Sequence, residues 1–183
     1  MYRRGNSPRR RRVCDHDPRY DPGHSGRPPP GLTVKPVLAI LALCLCSCAT
    51  IHGPQRYMYS LKYPWLTDEI YQICATESAR NELPIQLVLA VIDAESSGRT
   101  NAVSRSGALG LMQVMPRYWY KHGPASDLHR PEIGIRVGCS VLRWARDLAR
   151  GDVVLTLRNY ERGPRGRGIN WTYTNKILRN MRG

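Results

Sequence analysis

Apolar residues recur at helical spacing through the second half of the chain, and no segment alternates like a strand over a useful length. This pattern predicts a mainly α fold without internal repeats. Residues 85–92 leave little room for a polar face, so we expect a helix there that is buried nearly all round and begins at Pro84. Thr67 is predicted to cap the preceding helix. Further helices are predicted from Pro131, from the cap Asp152 through Tyr160, and from Trp171 to Met181.

The N-terminal part has a different composition. Residues 1–33 are rich in Arg and Pro, which predicts a disordered leader. If translation begins at Val34 instead, this leader is an artefact of a misplaced start site. The apolar run 37–45 follows Lys35 and is too short to span a bilayer, but it fits a signal-peptide core at residues 34–47. Residues 45–48, Leu-Cys-Ser-Cys, resemble a bacterial lipobox. The resemblance implies lipidation of Cys48 and a lipid-anchored tether at residues 48–66; an uncleaved anchor is the alternative.

The formal charge of +14 divides unevenly along the chain. Residues 1–47 hold nine Lys/Arg and three Asp, and the remainder holds nineteen basic and eleven acidic residues. Such a charge suits nucleic acid, an anionic cell wall or a lipid surface. Because the densest Arg run precedes the predicted cleavage site, we expect no nucleic-acid partner. Cys74 and Cys139 remain in the mature part, where a disulfide and two separate buried thiols both fit.

The candidate chemistry is centred on Glu95, at the C-terminal end of the buried helix. The negative end of the helix dipole and apolar surroundings both favour the protonated carboxyl, as a general acid near neutral pH requires. A loop rich in Gly, Ser and Asn follows, and then Gly110-Leu111-Met112-Gln113. This order predicts a cleft with an acid at its floor.

The segment from Glu95 to Pro116 resembles the first two motifs of the lytic transglycosylases of the soluble-lytic-transglycosylase type, which are relatives of goose-type lysozyme. It contains Glu95-Ser96, Ser104 and the run 107–116, Gly-Ala-Leu-Gly-Leu-Met-Gln-Val-Met-Pro. A third motif begins near Arg130 and a fourth spans 159–164, so the resemblance covers residues 67–180. It implies a lysozyme-like catalytic domain at 67–183.

The resemblance also implies an activity. In that family a single Glu protonates the oxygen between N-acetylmuramic acid and N-acetylglucosamine and then accepts the proton of the muramyl primary hydroxyl, which closes an anhydro ring. The nucleophile is held in the substrate, and no metal or cofactor is needed. Glu95 is thus the expected catalytic residue, and peptidoglycan glycan strands are the expected partner.

The family's supporting roles map onto further positions, most with a structural alternative. Hydroxyls near the acid match Ser96 and Ser104, where the alternative is capping of a helix end or turn. Gly110 matches a position where the backbone closely approaches the saccharide. Met112 and Gln113 match residues that line the sugar subsites, with core packing as the alternative for Met112. Tyr160 matches a tyrosine that hydrogen-bonds the catalytic carboxyl and Tyr173 an aromatic that closes the cleft; either could be a core tyrosine.

One departure keeps rival functions open. Glu161 stands where the family usually has Asn, so a second carboxylate near the cleft could activate water and give a hydrolytic muramidase. The structural alternative is that Glu161 is a solvated charge that forms an ion pair with Arg158 or Arg162. A non-catalytic peptidoglycan-binding module would keep the cleft without needing Glu95. The expected location is the periplasmic side of the outer membrane, or else a soluble periplasmic or phage-associated state; secretion, conjugation or phage lysis machinery are possible partners.

Overall fold

The computed structural model describes residues 53–182. The predicted leader at 1–33, the signal peptide at 34–47 and the lipidation site Cys48 lie outside the described residues. The mainly α prediction is confirmed, and the helices connect through loops and two short 3-10 segments, Pro116–Tyr118 and Ala125–His129. The helices are α1 Gly53–Lys62, α2 Asp68–Arg80, α3 Ile85–Ser96, α4 Pro131–Leu148, α5 Val153–Arg162 and α6 Trp171–Arg182.

Helix α3 is the centre of the fold. Every residue from Leu87 to Ile92 is buried, as the unbroken apolar pattern predicts. Helices α2 and α6 pack against α3, and α4 packs against α2 and α5. Pro84 lies just before the first helical residue and not within the helix. Glu95 is therefore carried on the most deeply buried helix, at its C-terminal end.

Capping residues fix the helix starts where the sequence predicts them. The Thr67 hydroxyl accepts a hydrogen bond from the Ile70 amide at 3.2 Å, and an Asp152 carboxylate oxygen accepts one from the Leu155 amide at 2.8 Å. Each satisfies an amide that has no partner within its own helix. Helix α4 ends at Leu148, and Gly151 follows with a φ of +84°.

Helix α1 is a difference from the sequence analysis, which assigned residues 48–66 to a tether. From Gly53 this segment is helical, and Tyr63 directly after it is only 2% exposed. The Tyr63 hydroxyl and Lys62 Nζ both donate to the Asn180 carbonyl on α6. The aromatic residues of the lead-in pack against the core, a long-range contact that local composition does not encode.

The loop between α3 and α4 forms one wall of the cleft. Isolated antiparallel bridges join Leu109 to Val103 and to Val114. The Ser104 hydroxyl accepts hydrogen bonds from the amides of Ser106 and Ala108. These contacts give a Gly- and Ser-rich segment a defined shape.

Cys74 and Cys139 are both buried and not bonded to each other. The two residues belong to the hydrophobic core, on the packed helices α2 and α4. Burial raises the pKa of the Cys74 thiol to about 12. Of the two alternatives that the sequence leaves open, the structure has the buried thiols. Within residues 53–182, none of the helices is both long and apolar enough to cross a membrane.

Candidate active site

A cleft of about 350 Å³ opens over the end of α3. Glu95 contributes to its lining, together with residues of the α3–α4 loop, α4 and the end of α5. The other lining residues are Ser104, Ser106, Ala108, Gln113, Val114, Met115, Arg117, Tyr118, Val141, Tyr160, Glu161, Arg162 and Gly163. Of the residues predicted for the site, Glu95, Ser104, Gln113, Tyr160 and Glu161 line this cleft.

The Glu95 carboxyl has a strongly altered acidity. Burial raises its pKa from 4.5 to about 7, although the hydrogen bond from Tyr173 lowers the pKa. Glu161 adds a smaller increase and Lys176 a smaller decrease, both through charge. Near neutral pH, protonated and ionised Glu95 are thus comparably populated, so this side chain can both donate and accept a proton.

The hydrogen bond to the acid comes from Tyr173 and not from Tyr160. Tyr173 Oη donates to Glu95 Oε1 at 2.7 Å, whereas Tyr160 Oη donates to the Met112 carbonyl at 2.7 Å. The family resemblance predicted this bond for Tyr160, and predicted that Tyr173 closes the cleft. Tyr173 reaches Glu95 because α6 packs along α3, a contact between segments far apart in sequence.

Three residues predicted to contact substrate instead support the cleft from behind. Ser96 is 2% exposed and donates to the carbonyls of Ile92 and Leu111. Met112 is fully buried in the core and packs against Gly138. At Gly110, with a φ of +73°, a Cβ would lie 2.1 Å from the Leu128 carbonyl oxygen, so the close packing of this backbone against Leu128 requires glycine.

Ser104 and Gln113 do line the cleft, as predicted. Gln113 adopts a φ of +49°, and its Nε2 donates to the carbonyls of Ala102 and Gly110. These bonds hold the side chain against the loop, so its Oε1 is the atom that can accept a hydrogen bond from a ligand.

Glu161 lies at the cleft, but other residues hold its carboxylate. Asn170 Nδ2 donates to Oε1 at 2.7 Å, and Arg162 Nε lies 3.3 Å from Oε2. The predicted pairing with Arg162 is therefore present, and Arg158 instead donates to Gly166 and Asn159. Glu161 is both a paired charge and a cleft residue.

The acidic residue two positions before the catalytic candidate has a supporting role. Asp93 accepts hydrogen bonds from Trp65 Nε1 at 3.2 Å and from Asn180 Nδ2 at 2.9 Å. Lys176 Nζ donates to the Asp93 carbonyl at 3.0 Å. Because Lys176 and Asn180 lie on α6, Asp93 fixes the helix that carries Tyr173 against the helix that carries Glu95.

Several lining residues, notably Arg117, were not predicted from the sequence. Arg117 forms no ion pair with any described residue, and its guanidinium lies 5.1 Å from the centre of the Tyr118 ring. A sequence signal existed, since Arg117-Tyr118 directly follows the Met-Pro that closes the second motif. Across residues 53–182, His, Cys, Asp and Glu side chains nowhere gather into a group suited to a metal ion.

The partly buried acid, the tyrosine that donates to it and the Gly-Leu-Met-Gln wall of the cleft together are typical of one protein family. The chain belongs to the Transglycosylase SLT domain family, whose model matches residues 72–178. The family expected from the motifs is therefore confirmed.

Individual relatives carry related names. The chain is 32% identical over 116 residues to the "Transglycosylase" of Enterobacteria phage PRD1, covering 61% of this chain and 42% of the relative. It is 36% identical over 87 residues to the "Membrane-bound lytic murein transglycosylase E" of Buchnera aphidicola subsp. Baizongia pistaciae, covering 42% of this chain and 41% of the relative. The chain thus spans less than half the length of these relatives.

Two solved structures share the fold. One is an inactive mutant of lytic transglycosylase Slt from Pseudomonas aeruginosa, with a TM-score of 0.51 and 20% identity over 67% of this chain and 22% of that one. The other is the 70 kDa soluble lytic transglycosylase of Escherichia coli, with a TM-score of 0.50 and 21% identity over 68% of this chain and 20% of that one. They support the expected lysozyme-like fold.

Proposed function

We propose that this protein is a peptidoglycan lytic transglycosylase that cuts between N-acetylmuramic acid and N-acetylglucosamine without consuming water. The observation that carries the proposal is Glu95, a partly buried carboxyl with a pKa raised to about 7 that lines a cleft and accepts a hydrogen bond from Tyr173. The names of the phage and Buchnera relatives point the same way.

The reaction requires one group with two protonation states. Protonated Glu95 gives its proton to the glycosidic oxygen as the bond from muramyl C1 to that oxygen breaks. The muramyl C6 hydroxyl oxygen then bonds to C1, and its proton passes to the Glu95 carboxylate, which restores the acid. Tyr173 holds the carboxyl in place through both steps, and the intramolecular nucleophile has an effective concentration that water cannot match.

Hydrolysis is the second candidate, and it rests on Glu161. Both carboxylates line the cleft, and a pair of carboxyl groups is what a water-activating mechanism needs. However, Glu161 accepts a hydrogen bond from Asn170 and pairs with Arg162, so both of its carboxylate oxygens are already held by protein groups. We therefore favour the transglycosylase.

The location belongs to the proposal as well. The lipobox-like residues 45–48 support export and a lipid anchor at Cys48, on the periplasmic side of the outer membrane. The word "membrane-bound" in the name of the Buchnera relative agrees with attachment. A phage setting is supported by the relative from phage PRD1.

Digestion of purified sacculi by Glu95→Gln tests the catalytic proposal. Glutamine keeps the shape and the acceptor for Tyr173 but cannot donate the proton, so wall clearing should fall at least about a hundredfold. Glu132→Gln is the matched control, because Glu132 is an acid on α4 that does not line the cleft and pairs with Arg130. Clearing by Glu95→Gln at the wild-type rate would overturn the proposal.

Mass spectrometry of the released muropeptides separates the two reactions. A transglycosylase leaves anhydromuramyl ends, which are one water lighter than the reducing ends left by hydrolysis. Reducing ends that disappear in Glu161→Gln would establish the muramidase instead. A folded protein that binds sacculi but releases nothing would establish a binding module.

A further inference from the structure

Helix α1 carries an unusual exposed apolar face. Tyr57 is 63% exposed and Met58 and Leu61 are each 61% exposed. Since residues three and four apart are neighbours on a helix, these three side chains form one patch. Large apolar residues scattered singly over a surface are ordinary, but a contiguous patch indicates an interaction site.

The opposite side of α1 is attached firmly to the domain. Tyr59 packs against the core with its ring centre 6.3 Å from that of Tyr71, and Tyr63 is nearly fully buried. Arg56 pairs with Asp68 on α2, and Lys62 donates to the Asn180 carbonyl on α6. The exposed patch is therefore fixed in orientation relative to the catalytic cleft.

The preceding sequence indicates what covers this patch. The apolar run 37–45 and the lipobox-like residues 45–48 lie just before α1. From Cys48 to Gly53 the chain spans at most roughly 17 Å even when fully extended. An acyl chain on Cys48, or an uncleaved anchor, would thus hold α1 within reach of the lipid headgroups.

We infer that α1 docks on the lipid bilayer through Tyr57, Met58 and Leu61, as an interfacial helix beside the anchor. Tyr suits the headgroup region because it combines an apolar ring with a polar tip, and Met and Leu suit the acyl boundary. The basic end of α6 has Arg179 and Arg182 on either side of the Asn180 contact to α1 and adds attraction to anionic lipids. The anchor would supply attachment, and α1 would supply orientation of the cleft.

Photo-crosslinking in native envelopes tests this inference, which rests on the proposed membrane attachment but not on the proposed reaction. The full chain is produced in a Gram-negative host with a benzophenone amino acid at position 57, 58 or 61. Matched control positions are 148 and 155, where exposed leucines lie on α4 and α5. We expect phospholipid adducts at the three α1 positions, at least about fivefold more abundant than at the controls.

Any other outcome overturns the inference that α1 docks on the bilayer. Equal adducts at all positions would mean that the domain tumbles freely on its anchor. Adducts to another protein, or to residues 37–45 of the same chain, would mean that a polypeptide covers the patch. Fractionation separates the causes of failure: wild-type protein in the membrane fraction without α1 adducts defeats only the docking, whereas soluble wild-type protein defeats attachment too. Wall clearing by the same samples tests the reaction independently.

Discussion

Tyr173 moderates the pKa of Glu95, which burial raises. Its hydroxyl donates to Oε1 and so stabilises the ionised carboxyl, which lowers the pKa against the larger effect of burial. Tyr173→Phe removes that donor and leaves the ring. The pKa of Glu95 should then rise above about 7, and the alkaline limb of the pH–rate profile should move up by roughly 0.5 to 1 pH unit, since about 1 kcal/mol of hydrogen bond is involved.

Tyr160→Phe is the control for that measurement. The Tyr160 hydroxyl donates to the Met112 carbonyl, so its loss should weaken the wall of the cleft without moving the pH limb. Turbidity decay of sacculi across pH 5 to 9, roughly the range over which such a group titrates, gives both midpoints. A limb that shifts in Tyr160→Phe and stays in Tyr173→Phe would reverse the assignment.

Glu161 should act on the same carboxyl with the opposite sign. Its negative charge raises the pKa of Glu95, so Glu161→Gln should move the alkaline limb down by a few tenths of a pH unit. Because the effect is through space and Glu161 is partly exposed, the shift should shrink in 1 M salt, where the Debye length is about 3 Å. An upward shift, or one indifferent to salt, would contradict this account.

These residue roles also show where sequence reasoning reached its limit. Glu95 could be identified because its acidity follows from local facts, the apolar helix before it and the loop after it. For Ser96 and Met112 the sequence left two roles open, because the same residue types can contact a substrate in the cleft or pack against the core behind it. Only packing decides which, and Met112 shows it, since α4 places Gly138 against its side chain.

At the scale of elements, the turn before Gln113 depends on two glycines in different ways. Gly110 has a φ of +73°, and a Cβ there would lie 2.1 Å from the Leu128 carbonyl oxygen, so both conformation and space exclude a side chain. Gly110→Ala should therefore reduce the free energy of unfolding by about 3 kcal/mol or more, through strain and overpacking together. Urea unfolding followed by circular dichroism measures the loss.

Gly107 provides the matched comparison for that prediction. Its φ is +82°, yet nothing lies within 4 Å of the position where a Cβ would be added. Gly107→Ala should cost only the conformational strain, about 1 kcal/mol. Equal losses in the two variants would mean that backbone conformation alone, and not the contact with Leu128, makes Gly110 necessary.

Helix starts were the most predictable features at this scale, because the caps at Thr67 and Asp152 are local signals. Helix α1 was not predictable, since Tyr59, Tyr63 and Trp65 are aromatic residues in a short polar stretch. Their burial depends partly on contacts with Asp93 on α3 and Asn180 on α6, which lie far along the chain. The same limit explains Tyr173, whose partner is set by the packing of α6 on α3.

At the scale of the whole molecule, the acidity that suits Glu95 to catalysis reduces stability at alkaline pH. Its pKa is about 7 in the folded protein and 4.5 as the unperturbed reference. The folded state therefore binds this proton more tightly than the unfolded state. The stability contributed by the bound proton of Glu95 is fully present below pH 4.5 and is lost as the pH rises to about 7. The free energy of unfolding falls by up to roughly 3 kcal/mol over this range.

Glu95→Gln should abolish that loss, because an amide keeps the acceptor for Tyr173 and carries no proton to release. We expect the free energy of unfolding of the variant minus that of wild type to increase by about 2 to 3 kcal/mol between pH 4.5 and pH 8.5.

Glu132→Gln is the control and should show the opposite pH dependence. The pKa of Glu132 is lowered, first by its own backbone amide and then by Arg130. That pair is exposed, so the effect should be small. If the difference between Glu95→Gln and wild type is the same at both pH values, burial does not hold the carboxyl neutral, and the proton shuttle loses its physical basis.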